Sequence, residues 1–210
     1  MAPPGTVARS RHPPAATAAP RERILDAAEE LLRRHGPARA TVVDVARALG
    51  MSHANVYRHF ESKAALREAV AERWLKGISA PLDEMAARPG PAAERLVEWV
   101  LALAAAKRRK VRDDPEIFSA YHALAEEHRA VVDRHVRHLC EQVRRILEDG
   151  AAEGAFRLRD PEAAAQAVLE ATLRFHHPAH VAAADDPAAV EAAARRVLAL
   201  LVAGLAAGAL

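Results

Sequence analysis

Apolar residues recur every three to four positions along most of this chain, which predicts a protein built of helices. The first helix covers about fifteen residues and ends at Gly36-Pro37. Two short helices follow, one opening at Thr41 and the other spanning residues 54–60. A fourth helix continues through Leu66, Val70, Trp74 and Leu75. No stretch alternates apolar and polar residues as a half-buried strand does, and no internal repeat is present.

Longer helices are predicted beyond Pro81, over about 91–111, 115–125, 128–152, 161–182 and 187–207. The last two begin with Asp followed by Pro, which are favoured residues for the N-cap and the first helical position. The helix over 128–152 carries an apolar seam made of Val132, Val136, Leu139, Val143 and Ile146. We therefore expect an all-α fold of about nine helices.

Composition narrows the class of protein. The single cysteine, Cys140, favours a reducing compartment, and the chain opens with a Pro- and Ala-rich stretch rather than a secretory signal. The longest uncharged apolar run, Val197 to Leu210, has fourteen residues, fewer than the ~20 that span a bilayer. We expect a cytoplasmic protein with no membrane segment.

Charge is distributed unevenly along the chain. Residues 1–76 hold 13 Lys and Arg against 8 Asp and Glu, whereas residues 77–210 hold 17 against 20. Residues 1–20 are predicted to form a disordered arm because they are rich in Pro and Ala. A basic first part on an acidic remainder suggests a nucleic-acid partner, although an excess of this size also arises by chance.

Residues 41–60, TVVDVARALGMSHANVYRHF, form two short helices joined through Gly50-Met51-Ser52, the pattern of a helix-turn-helix. In such a motif the second helix projects polar side chains into a major groove about 12 Å wide. The predicted inward residues of that helix are Ala54, Val56 and Phe60. An ordinary helical hairpin would show the same turn. The predicted exposed residues are Ser52, His53, Asn55, Tyr57, Arg58 and His59.

Residues 21–75 contain four further patterns: an A-A-x-x-L-L-x-x-x-G opening, T-V-x-D-V-A, G-M-S, and a Y-x-H-F-x-S-K-x-x-L ending. On these features the segment closely resembles the N-terminal domain of the tetracycline-repressor (TetR) family. The remaining 135 residues carry no family-wide motif, but their order of helices is similar to the family's second domain. Beside the disordered arm (1–20) that composition predicts, the resemblance implies a three-helix DNA-binding domain (21–76) and a ligand-binding and dimerisation domain (77–210).

The same resemblance implies a role for each DNA-facing residue. Thr41 would cap the second helix and touch a phosphate, and Lys63 would hold another phosphate as a point charge. Asn55 and Arg58 are the best base readers, since Asn pairs with adenine and Arg with guanine. Ser52 and His53 would also face the groove, although His53 stands where the family usually has a small residue. Tyr57 would lie on the backbone or a thymine methyl, and His59 on a phosphate.

The expected function is that of a ligand-responsive transcriptional regulator that acts as a repressor, and not that of an enzyme. It would bind a palindromic double-stranded DNA operator as a homodimer held by its last two helices, and a small-molecule effector would release it. No cofactor is expected. Aromatic side chains with two histidine anchors are candidates to line the effector pocket: Trp99, Phe118, Tyr121, Phe175, His122 and His176.

Three further interpretations stay open from the sequence. His176 and His180, four residues apart on one predicted helix, could ligate Zn²⁺, Ni²⁺ or Cu²⁺. The cluster from His122 to His180 would then belong to a metal-binding helical-bundle enzyme or a metal-responsive regulator. A helical adaptor that keeps the helix-turn-helix only as a scaffold is the third possibility.

The basic run from Lys107 to Lys110 is interpreted as solvated cations at a helix C-terminus.

Overall fold

The computed structural model describes residues 19–36, 41–113, 115, 118, 129–183 and 186–208. This part of the chain contains ten α-helices and no strand, which confirms the all-α fold. The predicted arm, apart from its last two residues, and most of the helix expected over 115–125 lie outside the described residues. The helices are α1 (Pro20–His35), α2 (Val42–Ala48), α3 (His53–Tyr57), α4 (Lys63–Ala87), α5 (Ala92–Asp113), α6 (Arg129–Ala152), α7 (Pro161–Ala171), α8 (Leu173–His176), α9 (Pro178–Ala182) and α10 (Pro187–Ala207).

Side-chain caps fix where five of the ten described helices begin. The hydroxyls of Thr41, Ser52 and Ser62 accept hydrogen bonds from the backbone N–H three residues on, at 3.2, 3.3 and 3.0 Å. Asp160 and Asp186 each accept two such bonds in front of a proline, as their sequence predicts. Local sequence therefore sets the starts of α2, α3, α4, α7 and α10.

The fourth helix is longer than the sequence suggests. It continues from Lys63 to Ala87 with Pro81 inside it, whereas we expected new helices only beyond that proline. A proline inside a helix removes one hydrogen bond and crowds the carbonyl four residues earlier, which here belongs to Gly77. Because Gly77 and Pro81 are both exposed, water can hydrate that carbonyl. One continuous helix thus crosses residue 76, where the sequence placed a domain boundary.

The sequence predicts that Pro178 kinks or ends the helix expected over 161–182, and the structure breaks this helix twice, once before that proline and once at Thr172. Thr172 donates its hydroxyl hydrogen to the carbonyl of Val168 at 2.7 Å and ends α7 one residue earlier. His177 adopts an extended backbone (φ −70°, ψ 132°), as the residue before a proline favours, and it separates α8 from α9. Three short helices therefore follow each other where one was expected.

One hydrophobic core joins the small N-terminal helices to the rest of the described protein. α4 packs against α1 near its start and against α5 and α6 along its length, and α6 packs in turn on α7. The predicted seam of α6 is partly wrong, since Val136 is 50% exposed and the buried stripe passes instead through Val131, Leu139, Val143 and Ile146. No helix among the described residues is long and apolar enough to span a bilayer.

Candidate nucleic-acid interface and ligand cavity

The turn between α2 and α3 is tight and depends on a glycine. Gly50 has a φ of +62°, a left-handed conformation that residues with a side chain seldom adopt. The next backbone N–H, of Met51, donates to the carbonyl of Ala46 at 3.0 Å and closes the turn. Val45 and Val56 are fully buried on either side of this turn. This packing holds α3 at a fixed angle on α2 and leaves its other side in solvent.

The exposed side of α3 presents the residues that the sequence predicted. Ser52, His53, Tyr57 and Arg58 are exposed, and Asn55 and His59 are half-buried. The exposed fraction of Tyr57 is 49%, high for an aromatic side chain. Together with Lys63 at the start of α4, these residues are called the α3 face below.

One residue of α3 points the other way from the prediction. Val56 and Phe60 are buried as expected, whereas Ala54 is exposed. Two positions along an α-helix correspond to about 200° of rotation, so a residue two places before the buried Val56 points away from the core. The outward position of Ala54 adds a small apolar spot to the α3 face.

The hydroxyl of Thr41 already makes two hydrogen bonds at the start of α2. This hydroxyl accepts the backbone N–H of Asp44 and donates to the Asp44 carboxylate at 2.5 Å. A phosphate would have to compete with that carboxylate for the hydroxyl hydrogen. The predicted phosphate contact of Thr41 is therefore less favourable than that of Lys63, whose exposed side chain starts the first turn of α4.

Acidic side chains of α1 pair with an arginine of α4. Glu22, Asp26 and Glu29 all pair with Arg73 of α4, at 3.3, 2.8 and 2.6 Å. These carboxylates raise the pKa of Arg73 above its ordinary value, chiefly through the hydrogen bond that Arg73 donates to Glu29. Between residues 52 and 63 the only acidic residue is Glu61. The α3 face is thus left with a net positive charge, which suits a polyanion.

A cavity of about 350 Å³ lies between α5, α6, α7 and α8. Its wall is largely apolar, and it includes Val132, Val136, Leu139, Leu169 and Leu173. We call it the Lys107 cavity because its buried residues include that lysine. Pockets of this size and character, with a few polar groups in an apolar wall, are typical of small-molecule sites. The polar side chains at the cavity are Lys107, His135, Arg137, Cys140, Glu162, Gln166, Glu170, His176 and His177.

Lys107 contradicts the sequence interpretation of solvated cations at a helix end. α5 continues to Asp113, so Lys107 lies well inside the helix and is only 5% exposed. Its Nζ is 3.5 Å from Nε2 of His135, the one hydrogen-bonding partner that the described residues give it. Burial lowers the pKa of Lys107 to about 8. At pH 7 it is therefore still mostly an ammonium ion, without a carboxylate beside it in the described part of the chain.

Two buried histidines lie beside this lysine. Burial, together with the positive charge of Lys107, lowers the pKa of His135 to about 3 and that of His176 to about 4. Nε2 of His176 lies 3.3 Å from both the Thr172 hydroxyl and the carbonyl of Leu169. Both imidazoles are neutral at pH 7, so Lys107 is the only charged group among the buried residues of the cavity.

The predicted pocket residues separate into different places. His176 lines the Lys107 cavity. Trp99 is fully buried in the core and donates to Gln142 at 3.0 Å, and Phe118 packs 6.3 Å from the ring of Trp74. Phe175 lines a second cavity of about 550 Å³ with Arg108, Arg174, His180 and Arg196. Tyr121 and His122 lie outside the described residues.

The pair His176 and His180 does not share a helix face. The extended backbone at His177 separates them, and they line different cavities. No cluster of three or more potential metal ligands occurs among the described residues. The four-residue spacing on one helix, which suggested a metal site, is therefore not present.

Polar contacts tie α6 to α4 on the side away from the cavity. Arg134 pairs with Glu72, and His138 lies 2.7 Å from Asp83. Gln142 donates to the carbonyl of Ser79 at 3.1 Å. Through these contacts, a displacement of α6 at the Lys107 cavity would also displace α4, whose first turn contains Lys63.

Comparison with known families decides what kind of protein this is. Residues 24–70 match the N-terminal model of bacterial regulatory proteins of the tetR family, and residues 92–198 match a tetracyclin repressor-like C-terminal domain. The chain belongs to the TetR family of transcriptional regulators. The first matched region contains the α3 face, and the second contains all the residues that line the Lys107 cavity.

Individual relatives agree with this TetR assignment. An HTH-type transcriptional repressor of Mycobacterium tuberculosis is 31% identical over 143 residues, 63% of this chain and 72% of the relative. An uncharacterized HTH-type regulator of the same species is 36% identical over 96 residues, and the matched region spans 46% of each chain, so this chain matches about half of that relative's length. A solved tetR-family regulatory protein from Rhodococcus RHA1 is 25% identical, with a TM-score of 0.56 over 90% of this chain and 98% of that one.

Sequence reasoning about this TetR chain missed Lys107 and His135 as cavity residues. Both occur in highly charged stretches, which ordinarily are solvated. One signal was available for Lys107, because it follows Leu96, Val100, Leu103 and Ala104 at helical spacing and so continues their buried stripe. Extending this row of buried positions by one more helical turn predicts that Lys107 is buried.

Proposed function

We propose that this TetR-family chain is a DNA-binding repressor whose α3 face reads a palindromic operator. The observation that carries the proposal is the exposed polar side of α3, with Arg58 and Asn55 beside Lys63, on a helix fixed from behind by Val56 and Phe60. Arg and Asn are the side chains that recognise guanine and adenine in a major groove, and the lysine neutralises phosphate. Such DNA lies in the bacterial cytoplasm, which is the proposed location.

The second step of the proposal is a homodimer. A helix-turn-helix reads half-sites about 34–36 Å apart, or a multiple of that distance, and needs two copies to do so. α10 offers a surface for the pairing, because one of its exposed sides is largely apolar. Leu200 on this side is 75% exposed. Its exposed neighbours are Arg196 and five small residues, Ala192, Ala199, Ala203, Ala206 and Ala207. Leu200→Glu should give a monomer in sedimentation experiments, whereas Ala151→Glu on the exposed side of α6 should not.

The third step couples the dimer to an effector. The Lys107 cavity lies on one side of α6, and the contacts to α4 lie on another. A ligand that moves α6 would press on α4 through Asp83, Ser79 and Glu72 and shift the two α3 faces relative to each other. Such a shift changes the fit to both half-sites at once, and by linkage the operator would weaken effector binding equally.

The test is a selection of DNA by the purified protein. Fragments of the source genome are bound at physiological salt, recovered and sequenced, and an inverted repeat with helical-turn spacing is expected among them. The double variant Asn55→Ala/Arg58→Ala should keep weak, salt-dependent binding but lose the sequence preference. Arg145→Ala, an exposed arginine of α6, is the matched control and should select the same repeat as the unaltered protein. Recovery of that repeat by the double variant would refute the proposed α3 face.

A further inference from the structure

The Lys107 cavity has a polarity that limits what it can hold. Its buried residues include one ammonium group and two neutral imidazoles, and the rest of its buried wall consists of Leu139, Leu169 and the thiol of Cys140. An ammonium ion has three N–H donors, and the described residues supply one acceptor, Nε2 of His135 at 3.5 Å. A buried charge without a counter-ion is costly, which makes a ligand that supplies one unusually favourable.

Among the described residues, no charged group nearer the solvent forms an ion pair with this lysine. Glu162 is exposed and is engaged by Arg144 at 3.5 Å and by the thiol of Cys140 at 3.7 Å. Glu170 and Arg137 are also exposed and carry opposite charges. The formal charges of these exposed groups largely cancel, and the buried ammonium ion determines the sign of the ligand. A cationic ligand would be repelled, and a neutral one would leave the ammonium unsatisfied.

The apolar residues describe the rest of the ligand. Val136 and Leu173 are exposed large hydrophobic side chains, and both line this cavity. Leu139 and Leu169 are buried beside them. An apolar ligand group between these side chains would remove apolar surface from water, and each Å² removed would stabilise the complex by about 25 cal/mol. A negatively charged group for Lys107 and an apolar body for these side chains together indicate an amphipathic ligand.

We propose that the effector of this protein is a small amphipathic carboxylate, bound with its carboxylate against Lys107 and its apolar body along Val136, Leu139 and Leu173. This rests on the proposed function, in that the Lys107 cavity is taken as the effector site. The carboxylate accepts charge-assisted hydrogen bonds from the Nζ of Lys107, the strongest kind available to it. His135 and His176 stay neutral and complete the polar end.

Pairing of a carboxylate with Lys107 should change the number of protons bound by the protein. Because burial lowers the pKa of Lys107 to about 8, roughly half the molecules hold a neutral amine there at pH 8. A bound carboxylate favours the ammonium form, so binding at pH 8 should take up about half a proton per ligand. At pH 6.5 the lysine is already charged and uptake should vanish. The other ionisable groups around it are His135, Arg137, Cys140, Glu162, Glu170, His176 and His177.

The experiment is calorimetric titration of the full chain with a panel of hexanoate, octanoate, decanoate and phenylbutyrate, each beside the alcohol of the same skeleton. At least one carboxylate should bind about tenfold or more tightly than its alcohol, the effect expected of a charged hydrogen bond. Titration in two buffers of different ionisation enthalpy gives the proton uptake of the unaltered protein, which needs no variant.

Lys107→Met should abolish the preference for the carboxylate and the proton uptake, and Lys76→Met, at an exposed lysine of α4, should change neither. The proposal is overturned if no carboxylate of the panel binds, if the alcohol binds equally well, or if octyl phosphate binds more tightly than octanoate. Operator binding is measured separately on the same preparations. If the unaltered protein does not bind an operator, the proposed function is refuted. If it binds an operator but no carboxylate, only the assignment of the effector is refuted.

Discussion

The α3 face and the Lys107 cavity place charge in opposite settings. On the α3 face the apolar residues Val56 and Phe60 are buried, and the cation of Arg58 is in water. In the cavity the cation is buried, and the apolar Val136 is half exposed. A solvated charge costs nothing to maintain and is always available to DNA. A buried charge lowers stability until a ligand of opposite sign arrives, which is what a sensor of that ligand requires.

The largest expected effect concerns the two buried histidines. Unfolded His takes up a proton below pH 6.5, whereas His135 and His176 do so only near pH 3 and 4 in the folded protein. The unfolded state therefore binds more protons as the pH falls, and the free energy of unfolding decreases from pH 6.5 downwards. By pH 4 the loss from this pair is on the order of 5 kcal/mol.

Urea denaturation at pH 6.5, 6.0, 5.5 and 5.0 measures this slope, which corresponds to an uptake of about two protons on unfolding near pH 5. His176→Gln should remove about one of them. His180→Gln, at an exposed histidine, should leave the slope unchanged. An identical slope in all three proteins would mean that these imidazoles are hydrated in the folded state.

The next effect concerns Lys107 itself. Its pKa is lowered in the folded protein, so between about pH 8 and 10.5 the unfolded state binds more protons and stability rises with pH. Lys107→Met removes the buried charge in a side chain of similar shape and should raise the free energy of unfolding by about 3 kcal/mol at pH 7. The gain should disappear above pH 10.5, and Lys76→Met should show none. A destabilised Lys107→Met protein at pH 7 would show that the ammonium is well satisfied without ligand.

The two regions also differ in how far the sequence predicts them. The start of α3 follows from Ser52 and the turn from Gly50, and both signals act within a few residues of where they stand. Exposure of Tyr57 and Arg58 follows from the helical position of Val56. The α3 face is therefore predictable locally, and a family resemblance over residues 21–75 strengthens the same conclusion.

The cavity depends on contacts between residues far apart in the chain. Lys107 meets His135 across 28 positions, and His176 reaches them only because α7 stops at Thr172. Neither the break at His177 nor the passage of α4 through Pro81 follows from helix periodicity alone. Trp99 is among the few aromatic residues that the sequence offers as candidate pocket walls, yet it is a core residue that donates a hydrogen bond to Gln142.

A smaller effect is expected on the α3 face. Arg58→Ala removes the side chain best suited to guanine and should weaken operator binding by about 2 kcal/mol per half-site. The loss should be confined to one base position, so that all four bases become equally accepted there. Competition with operators altered one position at a time measures this. If the variant loses affinity equally on every sequence, Arg58 contacts a phosphate instead of a base.

The smallest effect expected is that of Lys63, and it separates phosphate contact from base reading. Lys63→Ala should weaken binding by about 1 kcal/mol on the operator and on unrelated DNA alike, because a phosphate contact carries no sequence information. Each phosphate contact releases counter-ions, so the slope of log affinity against log salt should become shallower by about 0.9 per subunit. Arg145→Ala provides the control, since its side chain is exposed on α6 outside the α3 face. An unchanged slope for Lys63→Ala would place this lysine in solvent. The positive charge of the α3 face would then act through Arg58 and its neighbours alone.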